Sequence, residues 1–201
     1  MKHLRPSPNL SRVWVAGALF RVGETQDIET LLDIDRDAGT LFEQAGLYLD
    51  LPDDHEFPVS ERNRWLRSLD AGSTIIAMDL RGQPVGFAAV GLLDAQPYLE
   101  QLSVRRSHMR RGIGSALLHA AVDSSDDGSA DALWLTTYGH LWWNRPFYEA
   151  HGFTRVWDGD CDRGIQRELE FQRRWLPMRG QRIAMRRSYD RGTEARTASS
   201  R

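Results

Sequence analysis

The chain has 201 residues, 41% of them hydrophobic, with a formal net charge of −2, which suits one domain with a substantial core and argues against a general nucleic-acid binder. A single cysteine, Cys161, excludes an internal disulfide and fits a reducing cytoplasm, and no apolar run approaches the length of a membrane span. The charge is unevenly spread: eleven acids and one arginine lie between Glu24 and Glu56, whereas nine arginines and two acids lie from Arg173 onward. The acidic stretch reads either as a solvated helix face or as a mouth that attracts a cation, and the basic end as a tail.

Residues 1–11, rich in Pro, Ser and Asn, read as a flexible lead-in. Residues 13–20 follow three basic residues and loosely mimic a signal peptide, but the apolar part is short and continues as an alternating strand over 18–23. Asp27 caps a helix carrying Ile28, Leu31, Leu32 and Ile34, and a second helical piece over 40–48 is expected to break from it at Gly39. A turn-rich segment over 51–58 precedes a helix that starts at Ser60 and stops at Gly72. Residues 73–79 and 84–92 form a hairpin, 98–104 the next strand, and a helix follows that ends in the polar run 123–128. A buried strand over 132–138, a short helix over 146–150 and strands over 154–157 and 182–187 close the pattern, with a partly helical connection at 166–175. The domain is therefore expected over 12–188, followed by a disordered basic tail over 189–201.

The most informative stretch joins the strand ending at Val104 to the next helix through Arg105, Arg106, Ser107, His108, Met109, Arg110, Arg111, Gly112, Ile113 and Gly114. A strand, a basic glycine turn and a helix N-terminus make an anion cradle, because first-turn N–H groups lack intrahelical acceptors and the helix dipole adds positive potential. A dinucleotide fingerprint fails, since Leu117 stands where a third glycine or alanine is required and Trp134 where the ribose-binding acid belongs. A P-loop fails as well, because Ser115-Ala116 follows the last glycine in place of Lys and Ser or Thr.

Met109-Arg110-Arg111-Gly112-Ile113-Gly114 resembles the acetyl-CoA loop of the GCN5-related N-acetyltransferases (GNAT), Gln/Arg-x-x-Gly-x-Gly/Ala after a strand ending in Val, although Met109 departs from it. Asn144 to Phe153, with Tyr148 and a terminal Gly152-Phe153, resembles the family's closing motif, with Asn144 closer to Tyr148 than usual. The order of elements over about 18–188 matches as well. The resemblance implies an α/β fold: a single domain whose mixed, twisted central sheet carries helices on both faces. It implies a cytoplasmic transferase that moves an acetyl group from acetyl-CoA to an amine of a small molecule or a protein. Direct attack in a ternary complex is expected, since Ser107 and Ser115 lack the neighbours of a nucleophile. Acetyl-CoA is the expected co-substrate, with neither metal, nucleic acid nor membrane involved and a homodimer possible. A non-catalytic acyl-CoA sensor or regulatory module is the alternative.

By that resemblance the cofactor-binding residues are Leu102, Ser103, Val104, Met109, Arg110, Arg111, Gly112, Ile113, Gly114, Ser115, Asn144 and Tyr148. A backbone N–H at Val104 or its neighbour would polarise the thioester carbonyl, and Tyr148 would protonate the leaving thiolate. Strand parity puts Glu100 on the same side as Leu102 and Val104, making it the candidate base, with Asp94 and His140 as substitutes. Trp142 and Trp143 could wall the acceptor pocket. His108, His119 and His151 read as solvated or capping residues.

Overall fold

Ala16 and Gly17 both take positive φ, 55° and 74°, and this tight turn joins β1 (Trp14–Val15) to β2 (Ala18–Val22). The computed structural model describes residues 14–49 and 51–190; the expected lead-in and residues 191–201 of the expected tail lie outside them. β2 pairs with β3 (Thr74–Met78), followed by β4 (Pro84–Leu93) and β5 (Gln96–Val104), all antiparallel. β6 (Ala132–Tyr138) lies parallel to β5, and with β7 (Thr154–Val156) and β8 (Arg182–Ser188) the sheet runs β1-β2-β3-β4-β5-β6-β8-β7.

Period-two alternation sorts the side chains into two faces. On one face, Ile76, Phe87 and Ala89 pack against Leu31 and Ile34 of α1 (Ile28–Glu43) and Trp65 and Leu69 of α2 (Glu56–Asp70). On the other, Ile75, Ala77, Ala88, Leu133 and Leu135 pack against Leu117, Leu118 and Ala121 of α3 (Ile113–Ser125). α4 (Arg145–Ala150) adds Phe147 and Tyr148 to that second face. α5 (Arg163–Trp175) covers Tyr98, Trp134 and Ala184 with Ile165 and Leu169 and lies beside α2, where Phe57 and Phe171 stack with centroids 5.7 Å apart. The expected mixed sheet with helices on both faces is present.

Several boundaries differ from the sequence reading. α1 runs unbroken through Gly39, whose helix-interior penalty of about 1 kcal/mol is outweighed by the packing of Leu31, Ile34 and Ala38 before it and of Phe42 after it. α2 begins at Glu56 because His55 caps it, its Nδ1 accepting from the Phe57 N–H at 3.1 Å. Pro58 then sits in the first turn, where the missing N–H has no intrahelical acceptor to lose. Tyr189, assigned to the tail, is buried, and its hydroxyl donates to Ser125 Oγ at 2.8 Å.

The strand pair that matters most barely pairs. β5 and β6 share one register partner, Tyr98↔Trp134, although β5 continues to Val104 and β6 to Tyr138. Beyond that contact the strands diverge and leave a gap inside the sheet.

Candidate active site

A cavity of about 690 Å³ occupies the gap, bordered by β5 from Tyr98 to Val104 and by β6 from Leu135 to Tyr138. The Arg105 N–H donates to the Val85 carbonyl at 2.8 Å. Backbone groups alternate along an antiparallel strand, so Ser103 and Gln101 also turn toward β4, whereas Val104 and Leu102 turn away from it. Their N–H groups face the gap.

The cradle closes one side of the cavity. Arg110 (φ 61°) and Gly112 (φ 84°) bend the chain sharply into α3, a conformation that glycine adopts without strain. The first bond of α3 runs from the Ala116 N–H to the Gly112 carbonyl, so the N–H groups of Gly112 to Ser115 have no acceptor within the helix. Met109, Arg110, Gly112, Gly114 and Ser115 border the cavity, together with Leu102, Ser103, Val104, Asn144 and Tyr148. Two of the expected cofactor residues do not: Ile113 is buried in the core and Arg111 is exposed. The parity of a helix start turns Ile113 inward while leaving its backbone N–H in the open first turn. A Cβ at Gly114 would lie 3.8 Å from the side chains of Phe147 and Val104, so a methyl group fits there and a larger side chain meets the cavity wall.

The acidic stretch serves this cradle. Asp33 pairs with Arg105 at 2.6 Å, Asp37 accepts the Arg106 N–H at 2.6 Å, and Asp27 holds Arg21 at 2.7 Å. Glu29, Asp33 and Asp37 on α1 therefore anchor arginines, while Asp35 and, at the rim, Glu43 border the cavity.

Tyr148 enters from the α3 face. Its ring lies between Phe147 and Phe153, at centroid distances of 5.2 and 5.8 Å. Its hydroxyl borders the cavity without a hydrogen-bond partner among the described residues. Burial pushes the phenol up to about 12, with Arg182 pulling the other way, so it is neutral and able to donate at neutral pH.

Carboxyl groups enter from the opposite face. The β4–β5 register shifts between Ala89 and Val90, so that Ala89 faces Gln101 while Val90 faces Leu99, and Glu100 is the extra residue of a β-bulge. The bulge overturns the parity expectation: Glu100 lies with α2 and α5, not on the side of Leu102 and Val104. Gly91 makes room for it, since a Cβ there would fall 2.2 Å from Glu100 Oε1. Arg64 Nε lies 3.2 Å from Glu100 Oε2, and Arg64 Nη1 lies 2.6 Å from Glu168 Oε2, so one guanidinium serves two buried carboxylates. Burial pushes Glu100 up to about 7 against the pull of Arg64.

Glu61 on α2 was not among the sequence candidates. It borders the cavity with no ion pair or hydrogen bond among the described residues, and burial, with Asp35 nearby, pushes it up to about 8. Asp35 accepts from Gln101 Nε2 at 2.6 Å and Ser103 Oγ at 2.7 Å. The two substitute bases stand elsewhere, Asp94 in an exposed pair with Arg167 at 2.6 Å and His140 exposed against the Tyr138 ring. Of the tryptophan pair, Trp143 borders the cavity while Trp142 is 70% exposed.

Comparison with known proteins agrees with this geometry. Residues 70–155, from the end of α2 to the Tyr148 motif and β7, match the family model described as acetyltransferase (GNAT) domain. An N-acetyltransferase of Escherichia coli K12, YafP, is 30% identical over 96 residues, covering 48% of this chain and 55% of that protein. The chain therefore spans about half the length of that curated relative. The PaiA N-acetyltransferase of Thermoplasma acidophilum, solved with coenzyme A, shares the fold with a TM-score of 0.60 at 17% identity, covering 86% of this chain and 99% of that one. A GNAT-family acetyltransferase of Staphylococcus aureus Mu50 gives 0.62 at 16%, covering 85% and 98%. N-acetylglutamate synthase of Neisseria gonorrhoeae, solved with coenzyme A and N-acetyl-glutamate, gives 0.61 at 14%, covering 88% of this chain and 36% of that one. Over residues 70–155 the chain, with its split sheet, glycine cradle and closing tyrosine helix, is similar to the acetyltransferase (GNAT) domain.

Proposed function

We propose that this protein is an acetyl-CoA-dependent N-acetyltransferase that acts on a primary amine by direct transfer in a ternary complex. The observation that carries the reading is the internal gap between β5 and β6, where a free phenol meets an unpaired carboxyl group arriving from the other face of the sheet.

The cradle suits the pyrophosphate of coenzyme A: it offers successive free N–H groups at a helix start, Arg110 beside them, and no acidic side chain from Arg105 to Ser115. When bound, acetyl-CoA supplies the acetyl thioester and departs as the free thiol. Glu61 takes a proton from the ammonium group of the acceptor, freeing the nitrogen lone pair to form the new C–N bond. Glu100, fixed by Arg64, adds negative charge on the amine side. One of the N–H groups that face the gap, at Val104 or at Leu102, donates to the carbonyl oxygen as negative charge develops there. Tyr148 gives its proton to the sulfur as the C–S bond breaks, the nitrogen of the new C–N bond sheds its second proton to solvent, and solvent restores the phenol and takes the proton held by Glu61.

Titration calorimetry with acetyl-CoA, with desulfo-CoA and dephospho-CoA as controls, tests the cradle, and release of free thiol in the presence of amines tests the transfer. Micromolar binding and amine-dependent thiol release are expected. Folded protein that fails to bind acetyl-CoA at millimolar concentration overturns the reading.

A further inference from the structure

Behind the gap, four carboxyl groups (Asp35, Glu61, Glu100 and Glu168) surround two buried guanidinium groups, Arg64 and Arg182, with the exposed Arg67 near Glu100 and Arg36 near Asp35. Arg64 is divided between Glu100 and Glu168. Arg182 is turned toward the amide oxygen of Gln172, and its guanidinium lies 4.7 Å from the centre of the Tyr138 ring. Asp35 accepts only from neutral donors. Glu61 has no partner among the described residues, and Glu100 Oε2, fully buried, has no hydrogen-bond donor. Two of these carboxyl groups, Asp35 and Glu61, border the cavity without a salt bridge among the described residues.

The rest of that end of the cavity is apolar. Leu47, Tyr138 and Leu141 form a small core cluster on which Phe42, Trp143 and Leu176 pack only partly buried. All but Leu141 border the cavity, as does Phe57, one turn before Glu61 on α2. This cluster lacks the filling that a closed core would have. Apolar surface left open this way favours an apolar occupant by about 25 cal/mol per Å² covered. Of the charged residues bordering the same end, Arg36 and Glu43 are exposed at the rim and Arg182 is buried over the Tyr138 ring.

We infer that the acceptor is a small primary amine whose single ammonium group sits between Asp35 and Glu61 and whose body, alkyl or aromatic, lies against Phe42, Phe57, Trp143 and Leu176. This rests on the reading of the site as an N-acetyltransferase and narrows its substrate. An α-amino acid brings a carboxylate into a carboxylate-lined site, and a polyamine brings a second ammonium group against an apolar wall; both are disfavoured.

The test measures binding and turnover separately. Calorimetry follows phenethylamine, spermidine, L-glutamate and a short peptide with an N-terminal alanine, each added to the full chain with desulfo-CoA present. Thiol release from acetyl-CoA is measured with the same amines, and also with hexanoyl-CoA as donor. The expected result is that phenethylamine binds and reacts with at least tenfold higher kcat/KM than the others. Glu61→Gln raises its KM at least tenfold with unchanged acetyl-CoA affinity, and Glu61→Asp recovers part of the loss. Leu176→Asp narrows the preference over spermidine, with acetyl-CoA binding serving as the control for folding. Equal or better use of spermidine, glutamate or the peptide overturns the inference while leaving acetyl transfer intact. Phenethylamine that does not bind, or hexanoyl-CoA used better than acetyl-CoA, also overturns it, the latter by assigning the apolar wall to the acyl chain. Phenethylamine binding that depends on Glu61 without any thiol release upholds the amine site and removes the transferase reading.

Discussion

Replacing Tyr148 by phenylalanine removes one oxygen and almost nothing else. The ring keeps its contacts with Phe147 and Phe153, and the hydroxyl has no hydrogen-bond partner among the described residues to leave stranded. The stability change therefore stays within about 0.5 kcal/mol, as for substitutions that break no buried network. Catalysis is affected differently. A phenol pushed up to about 12 keeps its proton at neutral pH and holds it beside the departing sulfur, and without it the sulfur must leave as an anion or wait for water. Loss of a positioned general acid lowers kcat by about 10²–10⁴-fold. That corresponds to about 2.7–5.5 kcal/mol of transition-state stabilisation. The assay is thiol release at saturating acetyl-CoA, with calorimetry for cofactor affinity and a thermal melt for the fold. Unchanged kcat refutes the role, and an equal loss in acetyl-CoA affinity assigns Tyr148 to binding in place of proton transfer.

Glu61→Gln also has a pH signature. Asp35 on α1, Arg64 on α2, Glu168 on α5 and Arg182 on β8 face this carboxyl group, and the net effect with burial raises it to about 8. Wild-type kcat/KM should rise with pH and level off near 8, and the variant should lose that inflection in a pH–rate profile. Because the folded form holds its proton above the ordinary carboxylate range, ionising Glu61 costs stability between about pH 4.5 and 8. Glu61→Gln should therefore raise Tm more at pH 8.5 than at pH 5, by roughly 2–4 °C for about 1 kcal/mol; an equal shift at both pH values refutes the assignment. Arg64→Leu leaves Glu100 and Glu168 buried without their shared cation and should destabilise the fold by about 3–5 kcal/mol in a urea melt, with partial recovery when Glu168→Gln is added. Gly114→Glu places bulk and negative charge in the cradle and should abolish acetyl-CoA binding with the far-UV spectrum unchanged.

The cradle was legible because its information is local: a strand, two glycines and a helix start lie within one continuous stretch of residues. Tyr148 was legible for the same reason, being fixed by the Gly152-Phe153 turn a few residues on. Glu100 was located but turned the wrong way, since a bulge is set by the pairing of β5 with β4 and by the space at Gly91, neither of which shows in the parity of one strand. Glu61 was passed over because in a helix expected to start at Ser60 it looks like any first-turn acid; only the approach of α1, α5 and β8 leaves it without an ion pair beside a cavity. The unbroken run of α1 through Gly39 and the early start of α2 at His55 reflect packing and capping that outweigh local propensity. Within the acidic stretch, Asp27, Glu29, Asp33 and Asp37 tie down arginines while Asp35 and Glu43 border the cavity, a division that spacing along the chain does not show.

The lone Tyr98↔Trp134 contact means that the backbone ladder does not set the distance between the two halves of the sheet. Side chains span the seam instead: Tyr98 to Thr136, Asp94 to Arg167, Phe57 to Phe171 and, in a buried ion pair, Arg64, anchored on α2 in the first half and reaching Glu168 on α5 in the second. That guanidinium works as a tie rod. Tyr148 travels with the half that follows β6, Glu61 with the half that precedes it, so the length of the tie governs how far apart acid and base stand. A side chain that never meets the substrate thereby sets the gauge of the reaction, and relatives with the same catalytic groups could differ in acceptor size simply by resetting it.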